Sequence, residues 1–137
     1  MNDYISIIQA KVINLLKTFD GSLAEASKDR CSEIARLVGC WIIKDYPDTE
    51  ISILKGEFSN DMAHDILVVK YAHNIYVLDP TVWQIFPESG TIVVCTVNSI
   101  TEAIAFVTNK YGGVWKVFEL LKTCSQEEEQ KLLGIVC

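Results

Sequence analysis

The chain has 137 residues, half of them hydrophobic, and a formal net charge of −6. This length suits one domain over residues 1–137, with a core large enough to fold without a framework of disulfides. The twelve Lys and Arg residues form no basic run, which argues against nucleic acid as a partner, and no apolar run is long enough to cross a membrane.

The chain contains five cysteines and no CxxC pair: Cys31, Cys40, Cys95, Cys124 and Cys137. Their spacing matches no zinc site, so we expect no metal and no other cofactor, and an odd number leaves at least one thiol unpaired. The first residues lack the basic, apolar and small-residue regions of a signal peptide. We therefore expect a protein of a reducing compartment such as the cytoplasm, or one that a specialised system secretes folded into a target cell.

Two amphipathic helices are predicted in the first third of the chain. Residues 2–18 carry apolar side chains at helical spacing. A second helix is predicted from about residue 29 to residue 45, with Ser27 or Asp29 as its N-cap. Its apolar stripe, extended back by one turn, places Cys31 on the inward face of the first turn.

The pattern then changes to the period of two that is typical of strands. The predicted strands are residues 50–55, 64–71, 75–79 and 91–97. A capping box and a pair of glycines bound a helix over residues 100–110. Residues 114–121 are compatible with either a strand or a helix, and residues 125–133 are predicted to form a charged surface helix. The order indicates an α+β fold, with the N-terminal helices packed on an antiparallel sheet.

Three residue types that support acyl chemistry fall at positions where this fold can bring them together. Cys31 lies at a helix N-terminus, where backbone N–H groups and the helix dipole stabilise a thiolate. A cysteine nucleophile needs an imidazole and an orienting acceptor, and His64 opens one strand while Asp79 closes the next. A hairpin register that pairs Lys70 with Ile75 would place His64 and Asp79 on one face of the sheet.

The order Cys31, His64 and Asp79, with the segment YVLDPTVWQIFP around the aspartate, resembles the papain-like and transglutaminase-like superfamily of cysteine hydrolases. More narrowly, the chain is similar to compact papain-fold toxins and effectors, several of which deamidate glutamine in host or rival proteins. The resemblance covers about residues 25–87. It implies a papain-like or transglutaminase-like fold in which these three residues are the catalytic triad.

The resemblance implies a protein substrate whose amide is hydrolysed. Deamidation of glutamine is favoured because a short chain has little length with which to build an extended peptide cleft. A cysteine peptidase and a transglutaminase-like acyl transferase would use the same triad, and the residues do not separate them. The sequence predicts no oligomeric state.

Two further classes of function stay open. Arg30 replaces the small residue that usually precedes the cysteine, Asp65 replaces an aromatic often found after the histidine, and no matching Gln precedes Cys31. These differences suit a non-catalytic interaction module of the same fold. The acidic composition also suits an adaptor or inhibitor that binds a basic protein.

Several other side chains have a structural interpretation as well as a functional one. All three tryptophans, Trp41, Trp83 and Trp115, are expected in the core. Trp83 could alternatively form a wall of the site and exclude water from it. Gln84 is expected on an edge strand, with a place in the site as its alternative, and His73 is expected in an exposed turn.

Overall fold

The structure of the protein is a computed structural model that describes residues 1–136. Five α-helices, five β-strands and one 3₁₀-helix lie within that range. In chain order they are α1 (Asn2–Leu16), α2 (Leu23–Ser27), α3 (Cys31–Asp45), β1 (Glu50–Glu57), β2 (Ala63–Tyr71), β3 (Asn74–Leu78), the 3₁₀-helix (Val82–Gln84), β4 (Val93–Val97), α4 (Ile100–Tyr111), β5 (Val114–Leu121) and α5 (Gln126–Val136). None of the helices in the described part of the chain is long and apolar enough to cross a bilayer.

The strands form one antiparallel sheet in the order β4-β3-β2-β1-β5. In the central hairpin Lys70 lies opposite Ile75, which is the predicted register. Helix α3 packs on β2 and β1, so the expected packing of an N-terminal helix on the sheet is confirmed. An α+β fold with N-terminal helices on an antiparallel sheet is therefore observed.

Two apolar clusters cover the two faces of the sheet. The larger one joins α1, α2, α3 and α5 to the face that carries Leu67 and Val69 of β2. The smaller one joins α4 to the opposite face, which carries Ile66 and Val68. Because strand side chains alternate between faces, the central strand β2 is apolar on both sides, as its sequence indicates.

The start of α3 differs from the prediction. The helix begins at Cys31 and its N-cap is Arg30, not Ser27 or Asp29, and no side chain caps it. Asp29 has a φ of 63°, a left-handed conformation that separates α3 from the short helix α2. The sequence did not predict α2, although Ser22 and Glu25 form a capping box at its start. The undecided segment 114–121 is strand β5.

Cys40 of α3 and Cys124, just before α5, form a disulfide with a Cα–Cα distance of 5.1 Å. The sequence did not predict this pair, and the expectation of a protein kept reduced does not account for it. Cys31 and Cys95 are free thiols. Cys137 lies outside the described residues.

Helix α5 is attached to α3 by polar contacts as well. Lys44 forms an ion pair of 2.6 Å with Glu129, and the indole of Trp41 donates a hydrogen bond of 3.1 Å to the same carboxylate. Part of the predicted charged surface helix therefore packs on α3, beside the disulfide.

Candidate active site

The site is organised around a buried pair, His64 and Asp79. His64 is the second residue of β2, and Asp79 directly follows β3. The imidazole Nε2 of His64 lies 3.0 Å and 2.9 Å from the two carboxylate oxygens of Asp79. Both side chains are fully buried. The observed hairpin register places both on the sheet face that packs against α4, as expected.

Two further donors fix the carboxylate of Asp79. The phenol of Tyr111, at the end of α4, donates a hydrogen bond of 2.8 Å to Oδ2. The backbone N–H of Thr81 donates one of 3.3 Å to Oδ1. The carboxylate is thus held from three sides, and it can orient the imidazole of His64.

Aromatic rings enclose the imidazole. The ring of Tyr111 stacks on His64 at a centroid distance of 6.1 Å, and Trp115 of β5 meets it edge-on at 6.5 Å. Gly56 of β1 pairs with both His64 and Trp115. A Cβ at Gly56 would lie 2.5 Å from the indole, so this position admits only glycine without a shift of Trp115. The wall excludes water and strengthens charge interactions within the pair.

The electrostatic surroundings favour the imidazolium form of His64. Burial lowers the pKa of His64, but the charge of Asp79 and its hydrogen bond oppose this effect, with smaller contributions from Cys31. The result is a pKa raised from 6.5 to about 10. At neutral pH the His64 ring is therefore positively charged.

Cys31 lies beside this imidazolium, within range of a charge and hydrogen-bond interaction with His64. The contact is looser than the one to Asp79, because the buried Nδ1 has no partner of standard hydrogen-bond geometry in the described part of the chain. The thiol is partly exposed, whereas the histidine is not. Cys31 is therefore the one of the three residues that solvent partly reaches, while His64 and Asp79 stay shielded.

The first turn of α3 supplies unpaired donors next to this thiol. Arg30 makes no side-chain cap, and within residues 1–136 the backbone N–H groups of Cys31 and Ser32 have no hydrogen-bond partner, so they can bind an anion. Arg36 holds this turn in place by donating to the Ser32 carbonyl at 3.0 Å and to its hydroxyl at 2.6 Å. The same guanidinium pairs with Asp65 at 3.0 Å and with Glu119 at 3.3 Å.

The other cysteines have different surroundings. Burial raises the pKa of the Cys95 thiol, which disfavours its thiolate. Cys40 and Cys124 are joined in the disulfide. Of the two free thiols in residues 1–136, only Cys31 therefore combines a helix N-terminus with a neighbouring imidazolium.

The structure brings together all three residues that the sequence singled out, Cys31, His64 and Asp79. The sequence missed Tyr111 and Trp115, since neither carries a local signal that it contacts a strand elsewhere in the chain. Trp83 lies in the core beneath the N-terminal helices, as expected, and its indole donates to the Ser89 carbonyl.

Gln84 ends the 3₁₀-helix rather than lying on an edge strand, and its buried Oε1 has no partner within the described residues. No cluster of three or more His, Cys, Asp or Glu side chains suited to a metal ion occurs between residues 1 and 136.

Comparison with known proteins gives no match: no family model, no curated protein and no solved structure matches this chain.

Proposed function

We propose that this chain is a cysteine-dependent amide hydrolase of the papain-like or transglutaminase-like class, with Cys31 as nucleophile, His64 as acid and base, and Asp79 as the residue that orients His64. One observation carries the proposal. A partly exposed thiol at an uncapped helix N-terminus adjoins a fully buried histidine that an aspartate holds at 2.9 Å. A purely structural cysteine requires neither the imidazolium nor the free amides.

The chemistry follows from the charges. The Cys31 thiolate attacks the amide carbon, and backbone N–H groups of the first turn of α3 stabilise the oxyanion. The imidazolium of His64 then gives its proton to the departing nitrogen, which leaves as ammonia or an amine, and a thioester remains on the sulfur. Water attacks the thioester while His64 takes its proton. The products are the free acid and the original thiolate–imidazolium pair.

We propose glutamine side chains of a protein as the substrate. The chain is short and leaves little length for an extended peptide cleft, which favours a small carboxamide as the group that is hydrolysed. Peptide-bond cleavage and transamidation share the first step, and they differ in which amine leaves and which nucleophile enters. The Cys40–Cys124 disulfide favours export into an oxidising environment over residence in the cytoplasm.

The decisive experiment is intact-mass analysis of candidate target proteins after incubation with the enzyme. Conversion of an amide to an acid is expected, with a matching release of ammonia. The Cys31→Ser variant should show neither, because a hydroxyl lacks a usable anion at neutral pH. Cys95→Ser is the matched control and should keep the activity. Fragments would instead identify a peptidase.

A substrate-independent test uses the thiol itself. Iodoacetamide should label Cys31 at least about tenfold faster than Cys95 at neutral pH, because Cys31 lies at a helix N-terminus beside His64 whereas burial disfavours the Cys95 thiolate. Peptide mapping identifies the labelled site. Equal rates in the folded protein would contradict the proposal, and would favour a non-catalytic interaction module instead.

A further inference from the structure

Strand β5 has an unusual edge. It is the last strand of the sheet and pairs only with β1 among the described residues, so its outer N–H and C=O groups have no strand partner. Four of its eight residues are exposed apolar side chains: Val114 at 75%, Val117 at 42%, Phe118 at 48% and Leu120 at 59%. A long apolar edge of this kind is a template for pairing with another strand.

The charges on β5 specify one register of self-pairing. The strand carries a single basic and a single acidic residue, Lys116 and Glu119. In an antiparallel pair centred between Val117 and Phe118, Lys116 of each copy lies opposite Glu119 of the other, so the ion pair forms twice. Registers centred on Lys116 or on Glu119 would instead set like charges opposite each other, which is unfavourable.

The faces of the sheet agree with this register. Lys116 and Glu119 pair with Lys55 and Ile53 of β1, which share one face, and Glu119 reaches Arg36 on that side. A twofold axis perpendicular to the sheet keeps each residue on its own face, so opposed residues must come from the same face. Lys116 and Glu119 meet this requirement.

Leu120 and Trp115 meet the same condition. Leu120 pairs with Ser52 on the other face, the face that carries Trp115, and the proposed register sets Leu120 opposite the second copy's Trp115. Phe118 is the extra residue of a bulge in β5. At the centre the register sets Val117 opposite Phe118, which lie on different faces, since Val117 pairs with Leu54 and the Phe118 ring lies against Lys55. The two bulges confine this mismatch to the centre of the contact, between the flanking pairs.

We propose that two copies of this chain pair through their β5 edges about a twofold axis and form a continuous ten-stranded antiparallel sheet. The occupant of the edge is a second copy because the edge is complementary to itself in charge and because the flanking pairs agree in face. The contact involves none of Cys31, His64 and Asp79, so it can hold or fail independently of the proposed chemistry.

Sedimentation velocity over a concentration series tests the proposal by charge reversal. The wild-type protein should show a reversible monomer–dimer equilibrium. Lys116→Glu should raise the dissociation constant by about tenfold or more, since both copies of the pair become repulsive. The double variant Lys116→Glu with Glu119→Lys should return most of the affinity. Lys122→Glu makes the same change in net charge beyond the end of β5 and should have little effect.

Circular dichroism and thermal melting confirm that each variant is folded, which matters most for Glu119→Lys because it also removes the contact with Arg36. A wild-type monomer at every concentration, as expected if the edge instead receives another protein, would overturn the proposal. So would a dimer that Lys116→Glu leaves intact, or one that is covalent on a non-reducing denaturing gel.

Discussion

Replacement of Asp79 by Asn isolates the charge that controls the site. The amide has nearly the same shape, and its oxygen can still accept a hydrogen bond from Nε2 of His64. It lacks the negative charge that, with its hydrogen bond, outweighs burial and raises the pKa of His64 to about 10. With that charge removed, burial acts almost unopposed. The pKa of His64 should fall below its ordinary value of 6.5.

The consequence appears at Cys31. In the wild-type protein Cys31 lies beside an imidazole that stays charged at neutral pH. In Asp79→Asn the imidazole is neutral there, so it no longer offers a positive charge to a thiolate at Cys31. The pH at which iodoacetamide labelling reaches half its maximum should rise by about one to three pH units, the usual effect of one nearby charge. The labelling rate at neutral pH should fall at least about tenfold.

The assay measures the labelling rate of Cys31 by peptide mapping from acid to alkaline pH, with Cys95 as the internal reference. Cys95 has no ionic contact with Asp79, so its profile should be the same in both proteins. An unchanged Cys31 profile in a folded Asp79→Asn protein would refute the reasoning, because Asp79 would then not set the charge of His64.

Three further predictions concern stability. The raised pKa of His64 contributes stability that is complete below pH 6.5 and is lost as the pH rises to about 10. The shift in pKa corresponds to at most about 5 kcal/mol of unfolding free energy. A free energy of unfolding that rose across this window would contradict the prediction. Tyr111→Phe keeps the ring over His64 but removes the donor to Asp79, so chemical denaturation should show a loss of about 1–2 kcal/mol, and an unchanged stability would exclude that contribution. Reduction of Cys40–Cys124, which are 84 residues apart, should cost about 4 kcal/mol by calorimetry or denaturation, unless the reduced chain retains structure when unfolded.

The arrangement of His64 and Asp79 could be predicted because it depends on local signals. Two β-branched segments flank a two-residue turn at residues 72–73, and this geometry sets the register that pairs Lys70 with Ile75. A shift of one residue would have sent the two side chains to opposite faces, so the register decides whether a site can form at all. The position of Cys31 likewise followed from the helical spacing of its own segment.

The rest of the site depends on contacts between distant segments. Tyr111 and Trp115 come from α4 and β5, and the apolar pattern of residues 114–121 is compatible with either secondary structure. Their proximity to His64 follows only from the pairing of β5 with β1 at Gly56. The spacing of cysteines does not encode their pairing either, so the disulfide between Cys40 and Cys124 could not be inferred.

The two residues that differ from the family pattern have structural roles on either side of Cys31. Arg30 donates a hydrogen bond of 2.8 Å to the Ala26 carbonyl, and its guanidinium lies 3.9 Å from the centroid of the Phe19 ring. These contacts attach Arg30 to α2. A side chain that capped α3 would instead have occupied the free backbone N–H groups of its first turn.

Asp65 helps to hold the first turn of α3 through Arg36. It points away from His64, toward α3, and binds the guanidinium of Arg36 that holds the carbonyl and hydroxyl of Ser32. Asp65 is 2% exposed, and a buried carboxylate is costly without such a partner. An aromatic residue at this position would leave Arg36 without its buried counter-ion and free the turn that carries Cys31. The aspartate at this position therefore fixes the turn that carries Cys31, and its presence does not argue against the proposed site.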